Sequence, residues 1–512
     1  MPKKLRIGVI DLVAHSVKPS LWGRAMAPNF AGIMPQIVSV WCEEMGHDVT
    51  YICFTRHKDL EGALDIFDVV ILGALTTSAP MAYSLSNLFR SKGAITAIGG
   101  PHARCYPADA AHHFDYVFGF TDKELLSEVL KDCSPHRPEG LVVSAKKHPS
   151  SLPGIRQRWK FINAALDKAP FIKMIPIVGS LGCPYSCNFC FDSTVPFQPL
   201  NLDEMKEDLP FLLKEMKRPR LSFYDPNFSV QIDRYLGLIE ENVPPDSIDF
   251  YAESSLSFLT ESRLQRMKTN GFKVMIPGIE SWYEMGEKSK TGKKSGIEKV
   301  KQVSQHINMI LSYIPYLQAN FMFPLDSDEG AEPFELTKRF VDLSPGAFSV
   351  FSLLTAFGQA APLNREYQKQ NRILPLPFYF MDCQLAMNVV PKNYSWTEFY
   401  KHFIDLAKYA FTKKAMIKRF KVNKSPLWRW MNVFRGLHFS NVINYCREFL
   451  KRFQSDLQFK KFYLQETSEV PQYYVQWMQK SLGPLWEWFP GGDHMQIKIP
   501  ASITYGSSPG DQ

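Results

Sequence analysis

Three cysteines, Cys183, Cys187 and Cys190, fall within eight residues of one another. They occupy the run Gly182-Cys183-Pro184-Tyr185-Ser186-Cys187-Asn188-Phe189-Cys190, with three and then two residues between successive thiols. A loop this tight can wrap three thiolates around one side of an iron–sulfur cubane. Ferredoxin-type sites use four cysteines and satisfy every iron. Here no fourth cysteine or histidine lies nearby in sequence, so one iron would stay open to a substrate-like ligand. A structural zinc needs four ligands, usually as two separated pairs, and the second pair is missing. Surface thiols without a metal are the remaining alternative, and the spacing on a glycine–proline loop just after a strand argues against it. The other six cysteines (Cys42, Cys53, Cys105, Cys133, Cys383 and Cys446) are scattered and read as small core hydrophobes. An odd total of nine and no dense framework speak against structural disulfides.

The trio must be positioned by the elements around it. From Ile175 apolar runs and helical patterns alternate. Strands are expected at Ile175–Ser180, Leu221–Tyr224, Asp249–Glu253, Val274–Gly278, Leu317–Met322 and Phe348–Leu354. Helices are expected over Leu202–Lys217, Glu261–Asn270, Gly296–Ile307 and Pro333–Asp342. Six strand–helix units in about 190 residues fit a parallel barrel, complete or partial, whose chemistry sits on loops at the carboxyl ends of strands. An earlier series, with strands at Leu5–Ile10, Val49–Cys53, Val69–Gly73, Ala94–Ile98 and Tyr116–Phe118, fits a doubly wound sheet covered on both faces. Its helical patterns are Gly32–Met45 and Met81–Lys92. The reading is α/β: a Rossmann-like domain over 1–135, a linker over 136–170, a barrel over 171–375, and a mainly helical aromatic and basic region over 376–512. The tail Ser507–Gln512 is expected to be disordered.

The cysteine spacing, Phe189 before the last cysteine, and the surrounding barrel resemble the radical S-adenosylmethionine superfamily. That resemblance implies a [4Fe–4S] cluster whose open iron takes the amino and carboxylate groups of S-adenosylmethionine. Reduction then cleaves the sulfonium to a 5′-deoxyadenosyl radical. Loops ending later strands match in order. Asp225 and Asn227 of Tyr224-Asp225-Pro226-Asn227-Phe228 would hold the methionine end, although such residues also make turns. Glu253 and Ser254 would face the ligand, and Glu280 and Ser281 would lie near the ribose, with rim salt bridges as the alternative. The fifth and sixth strand ends, Phe321–Asp326 and Thr355–Gly358, depart from the family pattern.

The first domain resembles the cobalamin-binding branch of that superfamily. The residues that carry this are Gly99-Gly100-Pro101-His102 after the fourth strand and Asp115–Gly119 in the fifth, with Thr76, Thr77 and Ser78 after the third. Glycines there would let a corrin or its nucleotide tail approach backbone. A glycine turn and a helix cap are the plainer reading. The histidine signature of many cobalamin domains is absent: the loop reads Asp11-Leu12-Val13-Ala14-His15-Ser16. The resemblance implies a cobalamin-dependent methyltransferase acting on an unactivated carbon of a small-molecule, lipid or natural-product intermediate. Radical cyclisation or rearrangement, and a non-catalytic cluster scaffold or sensor, are the alternatives. An electron donor such as flavodoxin or ferredoxin is implied.

Composition sets outer limits. Of 512 residues, 45% are hydrophobic, no run approaches the ~20 apolar residues of a membrane span, and the start carries no signal-peptide pattern. A cytoplasmic protein is expected. The net charge of +8 concentrates in Lys413, Lys414, Lys418, Arg419, Lys421 and Lys424. This reads first as a solvated helix face. Because Trp428, Trp430 and Phe434 follow among Arg429 and Arg435, an anionic partner or peripheral membrane contact is the sharper alternative. No RNA-binding module follows the barrel, which argues against nucleic acid.

Overall fold

A computed structural model describes residues 4–12, 32–169 and 172–490. The first sheet contains β1 (Arg6–Leu12), β2 (Asp48–Phe54), β3 (Val69–Gly73), β4 (Ile95–Gly99), β5 (Tyr116–Phe118) and β6 (Leu141–Val143). All pairs are parallel and the order is β2-β1-β3-β4-β5-β6. Alternate side chains face opposite layers, as strand geometry requires. Ile7, Val9, Val69 and Ile71 pack with Ile37 and Trp41 of the helix Ile33–Glu44. Ile10, Val70 and Leu72 pack instead with Tyr83, Leu85 and Leu88 of the helix Ala79–Ser91. The doubly wound expectation is met, and the strand order reverses between β1 and β3, where such sheets open a crevice.

Of the expected linker 136–170, the described residues 136–169 are built into the fold. β6 pairs with β5, and the helix Ile155–Lys168 joins the two halves. Its Arg158 donates to Gln36 at 2.9 Å on one side, and the Arg156 N–H donates to Asp208 at 3.0 Å on the other. β6 escaped notice because it is a three-residue edge strand whose Leu141 and Val142 remain exposed. The helix was hidden behind the Pro, Lys and Ser that precede it.

The second sheet runs β7 (Ile175–Ile177), β8 (Arg220–Phe223), β9 (Asp249–Ser254), β10 (Phe272–Glu280), β11 (Tyr316–Phe323) and β12 (Phe348–Leu353), parallel and in consecutive order. β7 and β12 are its two edges, so it is a barrel open on one side. Buried Phe223, Phe250 and Phe272 stack on Phe228 and Tyr235 beneath the covering helices. Ser222, Tyr251, Glu253, Gln318 and Asn320 alternate with such residues, stay accessible, and line the concave face.

The C-terminal region is helical, led by the 30-residue helix Pro426–Ser455. Its aromatic residues form core: Tyr400, Phe449 and Tyr463 stack face to face and edge to face. Arg435 of the long helix reaches the Tyr316 hydroxyl (2.7 Å) and Gln318 (2.6 Å), at the amino end of β11. This helix therefore covers the floor of the barrel, while residues 383–388 bond to the carboxyl end of β12. No helix among the described residues is long and apolar enough to cross a membrane.

Candidate active site at the barrel mouth

The cysteine loop leaves the first barrel strand through Gly182, whose φ of +67° favours glycine. A Cβ there would lie 2.3 Å from the Pro196 carbonyl oxygen, so the loop's return requires this residue. The loop is tied down on three sides. Arg104, in the helix Pro101–Cys105, pairs with Asp192 at 3.1 Å and donates to the Phe191 carbonyl at 2.9 Å. The Leu363 N–H donates to the Asn188 carbonyl (2.9 Å), and Tyr185 shares a hydrogen bond with Ser257 (3.0 Å).

Among the described residues no three His, Cys, Asp or Glu side chains converge tightly enough for one metal ion. The thiols are nonetheless neighbours in sequence order: Cys183 acts electrostatically on Cys187, and Cys187 on Cys190. Burial raises all three, Cys190 to about 11, while the Lys288 ammonium draws each back toward the thiolate. Backbone N–H groups help: that of Asp192 donates to the Cys190 sulfur at 3.4 Å. A partly accessible loop offering three thiols beside one buried cation suits a cluster.

Lys288 was not legible in the sequence. Burial opposes its charge, but Glu280 and the Cys187 and Cys190 thiolates outweigh it and hold the ammonium firmly protonated. It pairs with Glu280 at 3.1 Å. Glu280 sits in the left-handed region, with φ +63°, a conformation that costs a non-glycine residue about 1–3 kcal/mol and tends to persist at functional sites. Gly278 makes room for the pair: a Cβ would stand 2.1 Å from the Glu280 carboxylate and 2.9 Å from the Lys288 nitrogen. Glu253 joins them. Burial and Glu280 push its carboxyl up, and Lys288 pulls it down. Glu253 is nevertheless open to water. Tyr224 likewise is 42% exposed, yet its surroundings lift its phenol to about 12. Side chains that meet water while enclosed by protein line a recess, here the barrel mouth.

The other expected ligand residues divide sharply from this group. Asp225 is buried: Oδ1 accepts from Ser180 (2.6 Å) and from Tyr235, and Oδ2 accepts from the Gly179 N–H (3.2 Å). Asn227 is buried between Ser229 and Ser255. Ser254 donates to the Ser255 carbonyl, and Ser281 caps the turn at Tyr283 and Glu284. All four are turned into the barrel wall, and Asp225 fixes Gly179 and Ser180, which lead into the cysteine loop. Phe189 is half-buried against the main core.

The carboxyl edge of the first sheet faces this mouth. The Asp11 carboxylate at the end of β1 acts on Tyr224. The Gln359 N–H donates to the Cys105 carbonyl (2.8 Å), and the Gly358 N–H to the Tyr106 hydroxyl (2.9 Å). Gly100 takes φ +97°, and Gly99, Gly100, Pro101, Thr77 and Ser78 are all partly accessible; Thr76 is buried. His102 differs. It is fully buried, bonded through Nε2 to Tyr83 (2.6 Å) and packed edge-on to Phe378, and so has no free surface for a ligand. Burial lowers its imidazole to about 3. Val13–Ser16 of the loop after β1 lie outside the described residues.

Asp11 itself yields a prediction. It accepts from the Tyr51 hydroxyl and the Gly32 N–H, each at 2.8 Å, and burial lifts its carboxyl to about 7 despite them. A folded-state value above the unfolded one favours the protonated form. This contribution is complete below about pH 4 and is lost as pH rises through 7. Asp11→Asn keeps an acceptor for both donors. It should raise stability at pH 8 by about 1–4 kcal/mol and flatten the stability profile between roughly pH 4 and 7. Denaturant titrations at both ends of that window check it, and an unchanged slope would refute the burial argument.

No protein-family model matches the chain. Bacteriochlorophyllide d C-12(1)-methyltransferase of Chlorobaculum tepidum is 25% identical over 391 residues, covering 75% of this chain and 83% of that one. Bacteriochlorophyllide d C-8(2)-methyltransferase of the same organism is 22% identical over 330 residues, covering 60% and 70%. Among solved structures, the cobalamin-dependent S-adenosylmethionine radical enzyme OxsB with aqua-cobalamin bound superposes with a TM-score of 0.57 at 12% identity, covering 95% of this chain and 80% of that one. The radical S-adenosylmethionine methyltransferase TsrM from Kitasatospora setae, with cobalamin and a [4Fe–4S] cluster bound, gives 0.53 at 13% identity, covering 72% and 78%. With its three-cysteine loop at the mouth of an open barrel and a doubly wound domain facing that mouth, this chain shares the fold of those two radical S-adenosylmethionine enzymes and is similar in sequence to the two methyltransferases.

Proposed function

We propose that the chain is a cobalamin-dependent methyltransferase acting on an unactivated carbon of a small molecule, lipid or natural-product intermediate. The observation that carries this reading is the apposition of two carboxyl edges, one bearing Cys183, Cys187 and Cys190 and the other Gly99, Gly100, Thr77 and Ser78. When bound, a [4Fe–4S] cluster with S-adenosylmethionine supplies a 5′-deoxyadenosyl radical, and cobalamin supplies a transferable methyl group.

The chain's own residues prepare that chemistry. Three thiolates leave one corner open. Lys288, facing Glu280 and Glu253, balances the negative charge gathered there and offers a cation to the methionine carboxylate. Glu253, free of a protein hydrogen-bond donor among the described residues, is the natural acceptor for the methionine ammonium. The partly accessible hydroxyls of Thr77 and Ser78, with the Gly99-Gly100 backbone, would seat the nucleotide tail of the corrin. Residues 383–388 and the Gln359–Cys105 and Gly358–Tyr106 hydrogen bonds would close the rim. A flavodoxin or ferredoxin would deliver the electron.

The relatives that match over most of their length methylate bacteriochlorophyllide d by name. Carbon methylation is carried over from them, and their acceptor is not. Anaerobically reconstituted protein given cobalamin, reductant and methyl-labelled S-adenosylmethionine should release 5′-deoxyadenosine and place label on the corrin. Absence of the nucleoside with the cluster intact would sink the proposal. Nucleoside release with unlabelled cobalamin would point to cyclisation or rearrangement.

A further inference from the structure

The charge of the chain is concentrated in one place. Between residues 406 and 447 there are ten Lys and Arg and no Asp or Glu. The remaining 49 of 59 basic residues are offset by all 51 acidic ones, so this stretch carries the whole positive excess. Elsewhere surface cations lie among carboxylates, and several are paired: Arg218, Arg263, Arg266 and Lys273 form networks with Asp233, Glu240, Asp246 and Asp249. Among the described residues none of the ten lies within ion-pair distance of a carboxylate; Lys418, for example, donates only to the Asp342 carbonyl.

The same surface is apolar where a solvated face would be polar. Ile417 (56% exposed), Val422 (50%), Leu427 (61%) and Trp430 (55%) are four of the thirteen exposed large apolar side chains among the described residues, gathered within fourteen residues. They alternate with exposed Lys414, Lys418, Lys421 and Lys424 on the helix Lys413–Val422 and the start of Pro426–Ser455. The two helices are fixed to each other. The Phe420 and Trp430 rings meet edge to face at 5.5 Å, and Arg429 lies over Phe420 at 5.6 Å. Trp428 points the other way, buried against Tyr316 at 5.1 Å, so Trp430 is turned outward. Arg419 donates to the Ala347 carbonyl and Asn423 to the Pro315 carbonyl. These bonds fix the patch to the loops that enter β12 and β11, on the barrel floor.

We propose that this two-helix face is a docking surface for an anionic phospholipid bilayer. Unpaired ammonium groups around protruding aliphatic and indole side chains are complementary to acidic headgroups over an apolar interior. A nucleic acid would answer the charge but leave Ile417, Val422 and Leu427 in water. Because the face lies on the floor, docking leaves the mouth pointing away from the bilayer. The surface therefore locates the enzyme at a membrane and does not feed substrate through it. This inference stands apart from the methylation reading.

The test is co-sedimentation of the full-length protein with vesicles of phosphatidylcholine, with or without phosphatidylglycerol. Binding should require phosphatidylglycerol and weaken about tenfold or more at high salt. Leu427→Ala/Trp430→Ala and, separately, Lys414→Ala/Lys418→Ala/Lys421→Ala should each lower partitioning about tenfold, with far-ultraviolet dichroism and iron content unchanged. No sedimentation with acidic vesicles, or equal binding by both folded variants, would overturn the proposal. So would tight retention of RNA or duplex DNA that the apolar pair does not affect, since it would assign the surface to nucleic acid.

Discussion

Replacing Cys187 with alanine should strip the protein of its cluster: iron and sulfide fall by on the order of tenfold or more, and 5′-deoxyadenosine release drops to background. The reason is the donor set. With three thiolates on a loop and one corner reserved for a ligand, two remaining cysteines cannot hold a cubane, and the described residues offer no nearby substitute. The loop itself should survive, because it is anchored through Asn188, Tyr185 and Asp192 and not through Cys187. Secondary structure should therefore match the parent. Cys446→Ala is the control: that thiol is buried in helical core, and its loss should cost about 1–2 kcal/mol with full iron retention. Full iron in Cys187→Ala would remove the cluster assignment.

Asp225→Ala should also lose cluster, although Asp225 touches no thiol. Its carboxylate accepts from Ser180, Gly179 and Tyr235, and its removal leaves these buried donors unpaired at about 1–3 kcal/mol each. The backbone they hold leads directly into Gly182 and Cys183. A lowered melting midpoint together with iron loss is the expected result. Asp225→Asn, which keeps one acceptor oxygen while the Ser180 and Tyr235 hydroxyls can reorient, should retain most of the iron. A different outcome, full iron with only S-adenosylmethionine binding weakened, would mean that the side chain faces the ligand and that its place in the wall is wrong.

The contrast between Asp225 and Lys288 shows what the sequence could and could not reveal. Most strand positions, the open barrel and the doubly wound domain were legible because short apolar strands alternating with amphipathic helices admit few parallel architectures. The cysteines were legible because their spacing is local. Glu253 and Glu280 end their strands on the accessible side, whereas Asp225, Asn227, Ser254 and Ser281 end theirs turned into the wall. Position along a strand alone does not distinguish these two outcomes. Lys288 lies eight residues beyond Glu280 in the one-turn helix Gly286–Ser289, and only the fold brings it to the thiols. A lysine following a Gly-x-Glu strand end was the sole hint. His102 misled for a similar reason: a histidine after two glycines suggests a ligand, but Tyr83 and Phe378 enclose it. Phe378 comes from 276 residues away in the chain.

The grip of Arg104 on Phe191 and Asp192 has a practical consequence. Its helix begins immediately after Gly100, on the rim where the corrin is expected, and its side chain ends on the segment just past Cys190. Whatever steadies one end of that guanidinium lever steadies the other. Such coupling is reciprocal, so cobalamin loading should slow extraction of iron by chelators, and an iron-depleted preparation should take up the corrin less tightly. Excising the first 135 residues to study the barrel alone would remove one jaw of the clamp, and an inactive fragment would then reveal nothing about which cofactor it had lost.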